Sequence, residues 1–306
     1  MRVEGTRLAD PKLSTRWLMV NRISWAFILA LVLGTAAFSQ VVPTKVQAPA
    51  PRLATPKADF DEPLHRQVIY PAVRVANTAR PQFGTGVVIR SEKVSKETYL
   101  NVMLTCAHCV IPGDSYTADV VVYEKDGSTF KEWEKCPMVP YFNSKKYDIS
   151  VCLFVTSRPL AVAEMDFDTK LMMGNEVMHV GCGAGEDPRF DKGQITGLKS
   201  KIRPHPTDVY RTNMMTIFGD SGGPAFYKNK VIGLMQAIKI TRFHGEPFPV
   251  AGISYCIPIG TVKILDKEEN NTLSFVYKVE SELPRLPLVQ LKYAPLDWEE
   301  IKQQGE

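Results

Sequence analysis

No long stretch of this 306-residue sequence repeats its apolar residues at the helical period, which excludes a helix bundle as the main architecture. Net charge is scarce as well. The total is +4, and the first 39 residues carry +3 of it (Arg2, Arg7, Lys12, Arg16 and Arg22 against Glu4 and Asp10). Residues 40–306 are therefore close to neutral, and no nucleic-acid partner is expected. The sequence has one extended apolar run, ISWAFILALVLGTAAF at 23–38, and it is short for a membrane-spanning helix. No cysteine directly follows that run, so no lipoprotein anchor is expected. Cys106 and Cys109 flank His108, but no second pair stands at metal-ligand spacing, so neither a metal nor another cofactor is expected.

What is present begins with an export signal over 1–39. Arg16 and Arg22 precede the apolar run, and Ala37-Phe38-Ser39 fits the small-x-small cleavage pattern that would leave Gln40 first. Met19 opens a more ordinary signal, MVNRISWAFILALVLG, and is a candidate start. The expected location is secreted or periplasmic. The alternative is a signal-anchor in which residues 23–38 stay uncleaved, the one case in which a membrane would be a partner. Residues 40–67 are rich in proline and alanine and read as a linker.

From 68 to 266 the texture is short runs of β-branched and aromatic residues, among them GTGVVIR, YLNVMLTC, ISVCLFV, EVMHVGC and KVIGLMQAI. Lys125-Asp126-Gly127-Ser128 reads as a hairpin turn. About 200 residues of short strands fit an all-β barrel or sandwich. Residues 267–306 read as a charged, proline-containing tail, with Asp297 placed to cap one or two helical turns. The six cysteines, Cys106, Cys109, Cys136, Cys152, Cys182 and Cys256, fit either disulfides, which export permits, or buried free thiols.

The chemistry gathers around FGDSGGPAF at 218–226. A serine hydroxyl is a poor nucleophile at neutral pH and needs a base, a group to orient that base, and donors for the developing oxyanion. Glycine at 219 lets the backbone aim the N–H groups of Gly219 and Ser221 at one spot. Of the five histidines, His108 ends an apolar strand-like run in LTCAHCV, where a side chain can be held over a cleft. His179 reads as a strand histidine, His205 and His244 as loop residues, and His65 adjoins the linker. Asp148, in KKYDISVCLFV, borders an apolar run that can bury it against a histidine N–H.

Thr105-Cys106-Ala107-His108-Cys109, Asp148-Ile149-Ser150-Val151 and Gly219-Asp220-Ser221-Gly222-Gly223-Pro224, in that order, resemble the three motifs of the trypsin-like (chymotrypsin-fold) serine peptidases. Gly84-Thr85-Gly86-Val87-Val88-Ile89, Lys230-Val231-Ile232-Gly233-Leu234 and Gly252-Ile253-Ser254-Tyr255-Cys256-Ile257-Pro258 resemble segments of the bacterial HtrA-like branch. The resemblance implies two antiparallel six-stranded β-barrels, about 68–160 and 165–266, with the active site in the cleft between them. It implies a serine endopeptidase acting on polypeptides through Ser221 as nucleophile, His108 as base and Asp148 as its orienting group, with the oxyanion held by Gly219 and Ser221. The rival reading is a non-catalytic or latent binding protein on the same fold.

Departures from the family pattern are equally specific. Arg80-Pro81-Gln82-Phe83 holds no cysteine to pair with Cys109, and Ile217 replaces the family cysteine before the serine, so no disulfide pattern carries over. Asp220 is the trypsin type, yet no Ile-Val-Gly-Gly segment exists to supply the N-terminus that such an aspartate receives. The nearest candidate is Val68-Ile69-Tyr70, and activity is expected not to require a cut there. Residues 267–306 are too few for the PDZ domain of HtrA proteins. By similarity the substrate pocket is Met215, Gln236, Ala237, Ile238 and Gly252, with no carboxylate, which implies preference for an apolar residue before the cut.

Overall fold

The computed structural model describes residues 62–123, 130–202, 205–243, 246–278 and 280–284. The signal, residues 40–61 of the linker, the turn at 125–128, His244 and Asp297 lie outside the described residues. Among the described residues, no helix is long and apolar enough to cross a membrane.

Six strands close the first barrel: β1 (Ala72–Asn77), β2 (Phe83–Lys93), β3 (Tyr99–Thr105), β4 (Tyr116–Tyr123), β5 (Phe130–Ser144) and β6 (Ile149–Thr156), in the order β1-β2-β3-β6-β5-β4. Six more close the second: β7 (Glu176–Gly181), β8 (Arg189–Ser200), β9 (Val209–Thr212), β10 (Pro224–Tyr227), β11 (Lys230–Phe243) and β12 (Glu246–Pro258), in the order β10-β11-β12-β9-β8-β7. All pairings in both barrels are antiparallel. This is the all-β, two-barrel architecture expected from the resemblance. Closure leaves no strand edge open. Irregular registers at Val88/Arg90, Pro140/Phe142 and Met235/Ala237 help the sheets coil.

The apolar runs fail to alternate for a simple reason. β3 and β6 are buried on both faces, one face inside the first barrel and the other beneath neighbouring structure. Met103, Leu104, Val151, Leu153 and Phe154 belong to a core that continues into the second barrel through Val180, Phe226, Leu234 and Ile257.

That core extends past residue 266. The helix α1 (Thr261–Glu268) buries Val262 and Leu265, and Leu273, Phe275 and Val276 join them. Each such apolar side chain contributes about 1.5–3 kcal/mol when removed from water. The buried Asp266 carboxylate holds the segment by accepting from Leu273 N (2.7 Å) and Tyr277 Oη (2.5 Å). Arg90, on β2, donates to the carbonyls of Phe275 (2.8 Å) and Ser281 (2.9 Å). The beginning of the expected charged tail is thus core, since Leu273, Phe275 and Val276 within it are buried.

All six cysteines are free and buried. Of the two readings the sequence left open, the structure takes the free thiols.

Candidate active site

β3 ends at Thr105, and a single helical turn, Ala107–Cys109, follows it. Asn143 braces this turn by donating its amide to the carbonyls of Ala107 (3.3 Å) and Val110 (2.8 Å). The turn presents His108, half exposed, to the cleft. Asp148 stands at the entrance to β6 with φ +51°, a conformation that aspartate tolerates better than most residues. Next to it, Tyr147 donates its hydroxyl to Glu268 (2.5 Å), and the carbonyl of Tyr147 lies 3.1 Å from His205 Nε2. His205 is therefore a buried residue bracing the Asp148 turn, not merely part of a loop.

Asp148 takes hold of His108 twice. Its Oδ1 accepts the backbone N–H of His108 (2.9 Å), and its two oxygens lie 3.0 and 2.8 Å from Nδ1. A carboxylate only accepts, so the Nδ1 proton points at Asp148 and Nε2 is left facing the cleft. Burial works against charge on the imidazole, but the Asp148 carboxylate and the Cys109 thiol outweigh it and raise the pKa to about 10.

The serine loop comes from the second barrel and is tied to the first. Thr85, on β2, donates its N–H to Ser221 O (2.8 Å) and its hydroxyl to Gly219 O (2.7 Å). The Phe218 carbonyl accepts from Ala184 N at 2.6 Å. A trans peptide sets its C=O and N–H on opposite sides, so the Gly219 N–H faces away from Ala184. Gly219 has φ +101°, and a Cβ there would lie 2.7 Å from both Ala184 N and Cys182 O. Only glycine permits this turn. Gly222 is constrained the same way, since its Cβ would lie 2.1 Å from Thr105 Oγ1.

One cleft of about 240 Å³ is lined by His108 and Ser221 together with Thr216, Ile217, Phe218, Asp220, Met235, Gln236, Ala237, Ile238 and Ile240. Ser221 Oγ donates to the backbone carbonyl of Gln236 (3.2 Å), while the Gln236 side-chain amide donates to Asp148 Oδ2 (3.1 Å). Of the five residues expected to form the pocket, Gln236, Ala237 and Ile238 line this cleft. Met215 and Gly252 do not. Met215 is drawn outward because its N–H donates to Asp191 Oδ2 (2.6 Å) and its carbonyl accepts from Arg189 (2.7 Å), leaving its side chain 61% exposed. Gly252 sits on β12 facing open space, with Asn213 O the sole atom near its missing Cβ, at 3.9 Å. Thr216, Ile217 and Phe218 take part instead, and nothing in their local pattern marks them.

Cys106, His108 and Asp148 bring three possible metal-ligand atoms within 4.8 Å of one another. His108 and Asp148 are already bonded to each other, and the Cys106 thiol donates to Met235 O (3.3 Å). Burial, with Asp148 nearby, pushes that thiol well above its ordinary pKa. The donors are engaged as they stand.

Residues 84–234 match the model of the trypsin-like peptidase domain. Among solved structures, the serine endoprotease from Yersinia pestis is similar with 16% identity and a TM-score of 0.50, over 67% of this chain and 65% of that one. The HtrA-type protease AlgW, solved with a tripeptide, is similar with 15% identity and a TM-score of 0.52, over 69% of this chain and 63% of that one. The chain thus spans slightly less than two thirds of the length of either structure. No curated protein matches it. With two closed barrels, a matching domain model and these structural neighbours, the chain carries a serine-peptidase-like domain of the trypsin/chymotrypsin fold, structurally close to HtrA-type proteases.

Proposed function

We propose that this protein is an exported serine endopeptidase. The observation that carries the proposal is the double hold of Asp148 on His108, which leaves Nε2 open to the cleft that Ser221 lines. The chemistry follows from those positions. Ser221 Oγ attacks a peptide carbonyl carbon while His108 Nε2 takes its proton, and Asp148 keeps the ring oriented and balances its charge. Negative charge moves to the carbonyl oxygen, where the N–H groups of Gly219 and Ser221 receive it; one such donor is worth about 10²–10³ in rate. His108 then gives the proton to the leaving amine, and the acyl group remains on Ser221 Oγ. Water, deprotonated by the same nitrogen, releases the acid and restores the hydroxyl.

The lining also supports a substrate preference. Ile217, Phe218, Met235, Ala237, Ile238 and Ile240 are apolar, and the one carboxylate in the lining, Asp220, is bonded to Arg189. An apolar side chain before the scissile bond fits such a cleft, and a cationic one has no partner there.

One observation favours the second reading, a latent or binding form. Ser221 Oγ is hydrogen-bonded to Gln236 O and not to His108, so the hydroxyl must turn before it can react. Labelling with a fluorophosphonate probe separates the readings. The endopeptidase labels as wild type and fails to label as Ser221→Ala or His108→Ala. Equal labelling of wild type and Ser221→Ala would remove the site assignment, and a folded wild type that does not label is the latent form. For export, a mass beginning near Gln40 marks a released protein, and retention of residues 23–38 marks the anchored alternative.

A further inference from the structure

Asp220 directly precedes the proposed nucleophile and is only 1% exposed. A buried carboxylate without a partner is strongly unfavourable, so some group must answer its charge. Arg189, the first residue of β8, reaches in to do so. Its Nη2 donates to Asp220 Oδ2 (2.7 Å) and to the Met215 carbonyl (2.7 Å), and the Ile217 N–H donates to the same Oδ2 (2.8 Å). On the far side, His179 Nε2 stands 3.7 Å from Oδ1, while its Nδ1 is fixed on Pro224 O (3.0 Å). Neither His179 Nε2 nor Asp220 Oδ1 has a hydrogen-bond partner, and the two lie within ion-pair distance of each other. The walls are bare where the carboxylate enters. A Cβ on Gly181 would lie 2.4 Å from Oδ1, and one on Gly183 would lie 3.0 Å from it. The second barrel thus holds a chamber shaped for this carboxylate. Burial pushes the Asp220 carboxyl up, but His179, the Ile217 N–H and the Arg189 charge together bring it below its ordinary value.

We infer that Arg189 is a positioning residue. By tying Asp220 and Met215 to β8, its guanidinium fixes the 215–221 loop so that the Phe218 carbonyl stays on Ala184 and the Gly219 N–H faces the cleft. This rests on the catalytic reading above. It also makes the anchor internal: the chain supplies its own cation, and no newly cut N-terminus is needed to organise the oxyanion donors.

The test is a double-variant cycle in the full chain, with Arg189→Ala, Arg189→Lys, Asp220→Asn and Arg189→Ala/Asp220→Asn. On an apolar-directed peptide substrate, Arg189→Ala lowers kcat about 100-fold, the scale of one oxyanion donor, with KM within about threefold of wild type. Arg189→Lys recovers part of the loss. In the Asp220→Asn background, where no charge is left unanswered, the same Arg189→Ala change costs less than about fivefold. A wild-type kcat in Arg189→Ala overturns the inference, as does an equal loss in both backgrounds. Failure to fold that Asp220→Asn repairs supports the pairing, and failure that it does not repair overturns it. Hydrogen exchange of the 215–221 amides reads the anchor without reference to activity. If the wild type proves inert to the fluorophosphonate, faster exchange in Arg189→Ala that the double variant restores keeps the anchor while the catalytic reading falls. Unchanged exchange removes the anchor itself.

Discussion

Gln236 reaches from β11 across the cleft to donate its side-chain amide to Asp148 Oδ2 at 3.1 Å. The second barrel thereby helps hold the carboxylate that orients a histidine on the first. Replacing this donor by a side chain of similar size, Gln236→Met, is expected to lower kcat/KM by about 10- to 100-fold, the worth of one hydrogen bond to a charged group. Steady-state kinetics on an apolar-directed peptide substrate check it, and a rate within twofold of wild type would show that the contact has no part in function.

His108 sets the pH dependence. Its raised pKa means that the neutral, base-competent imidazole becomes dominant only above the ordinary value of about 6.5. Activity is therefore expected to rise with pH along a limb lying between about 6.5 and about 10, and Asp148→Ala should move that limb downward. The stability sign runs the other way. The charged pair contributes fully below about 6.5, and its contribution is lost as pH rises through the folded-state value of about 10. The half-exposed ring keeps that contribution small. A pH–rate profile with its acid limb at 6.5 or below would contradict the Asp148 assignment.

Gly219→Ala tests the oxyanion turn. The added methyl would meet two backbone atoms, Ala184 N and Cys182 O, at 2.7 Å, in a backbone conformation that alanine disfavours. The expected result is at least a 100-fold loss of kcat with about 1–3 kcal/mol of destabilisation and an intact far-ultraviolet spectrum. Retained activity would mean that the Gly219 N–H is not used.

The thiols provide a test free of any assumption about catalysis. All six cysteines are free and buried, and burial pushes Cys136, Cys152 and Cys182 up to about 12. A thiol-specific reagent should titrate almost none of them in the native protein, because the thiolate is the reactive form. After denaturation without reductant it should titrate all six. A lower count in the unfolded chain would reveal disulfides.

Phe275 tests whether the segment after α1 belongs to the folded core. It is 4% exposed and packs with Leu273 and Val276 against the first barrel. Phe275→Ala is expected to cost about 3–5 kcal/mol in denaturant unfolding, the usual range for a buried phenylalanine. A loss below about 1 kcal/mol would place the residue at the surface.

Much of the architecture was legible because its causes are local. Runs such as YLNVMLTC and ISVCLFV mark strands by their residue types, and the glycines of GDSGGP announce a turn that other residues could not make. His108 and Asp148 were legible because each sits where an apolar run begins or ends. Other features carried no such mark. Met215 was expected in the pocket by similarity to the family, but its two backbone hydrogen bonds to β8 turn it outward. Leu273, Phe275 and Val276 were hidden among charged and polar neighbours.

Asp220 shows most plainly where local reading ends. The residues around it reveal that a carboxylate stands beside Ser221, and the missing Ile-Val-Gly-Gly segment reveals that its usual partner is absent. They do not say what replaces it. Arg189 lies 31 residues away and His179 lies on β7, and they converge on Asp220 because β7 pairs with both β8 and β10 as the second barrel closes. Turn chemistry and strand propensity act over a few residues and can be read in order along the chain. A buried charge is answered by whatever the closed sheet brings within reach, and that is a property of barrel closure.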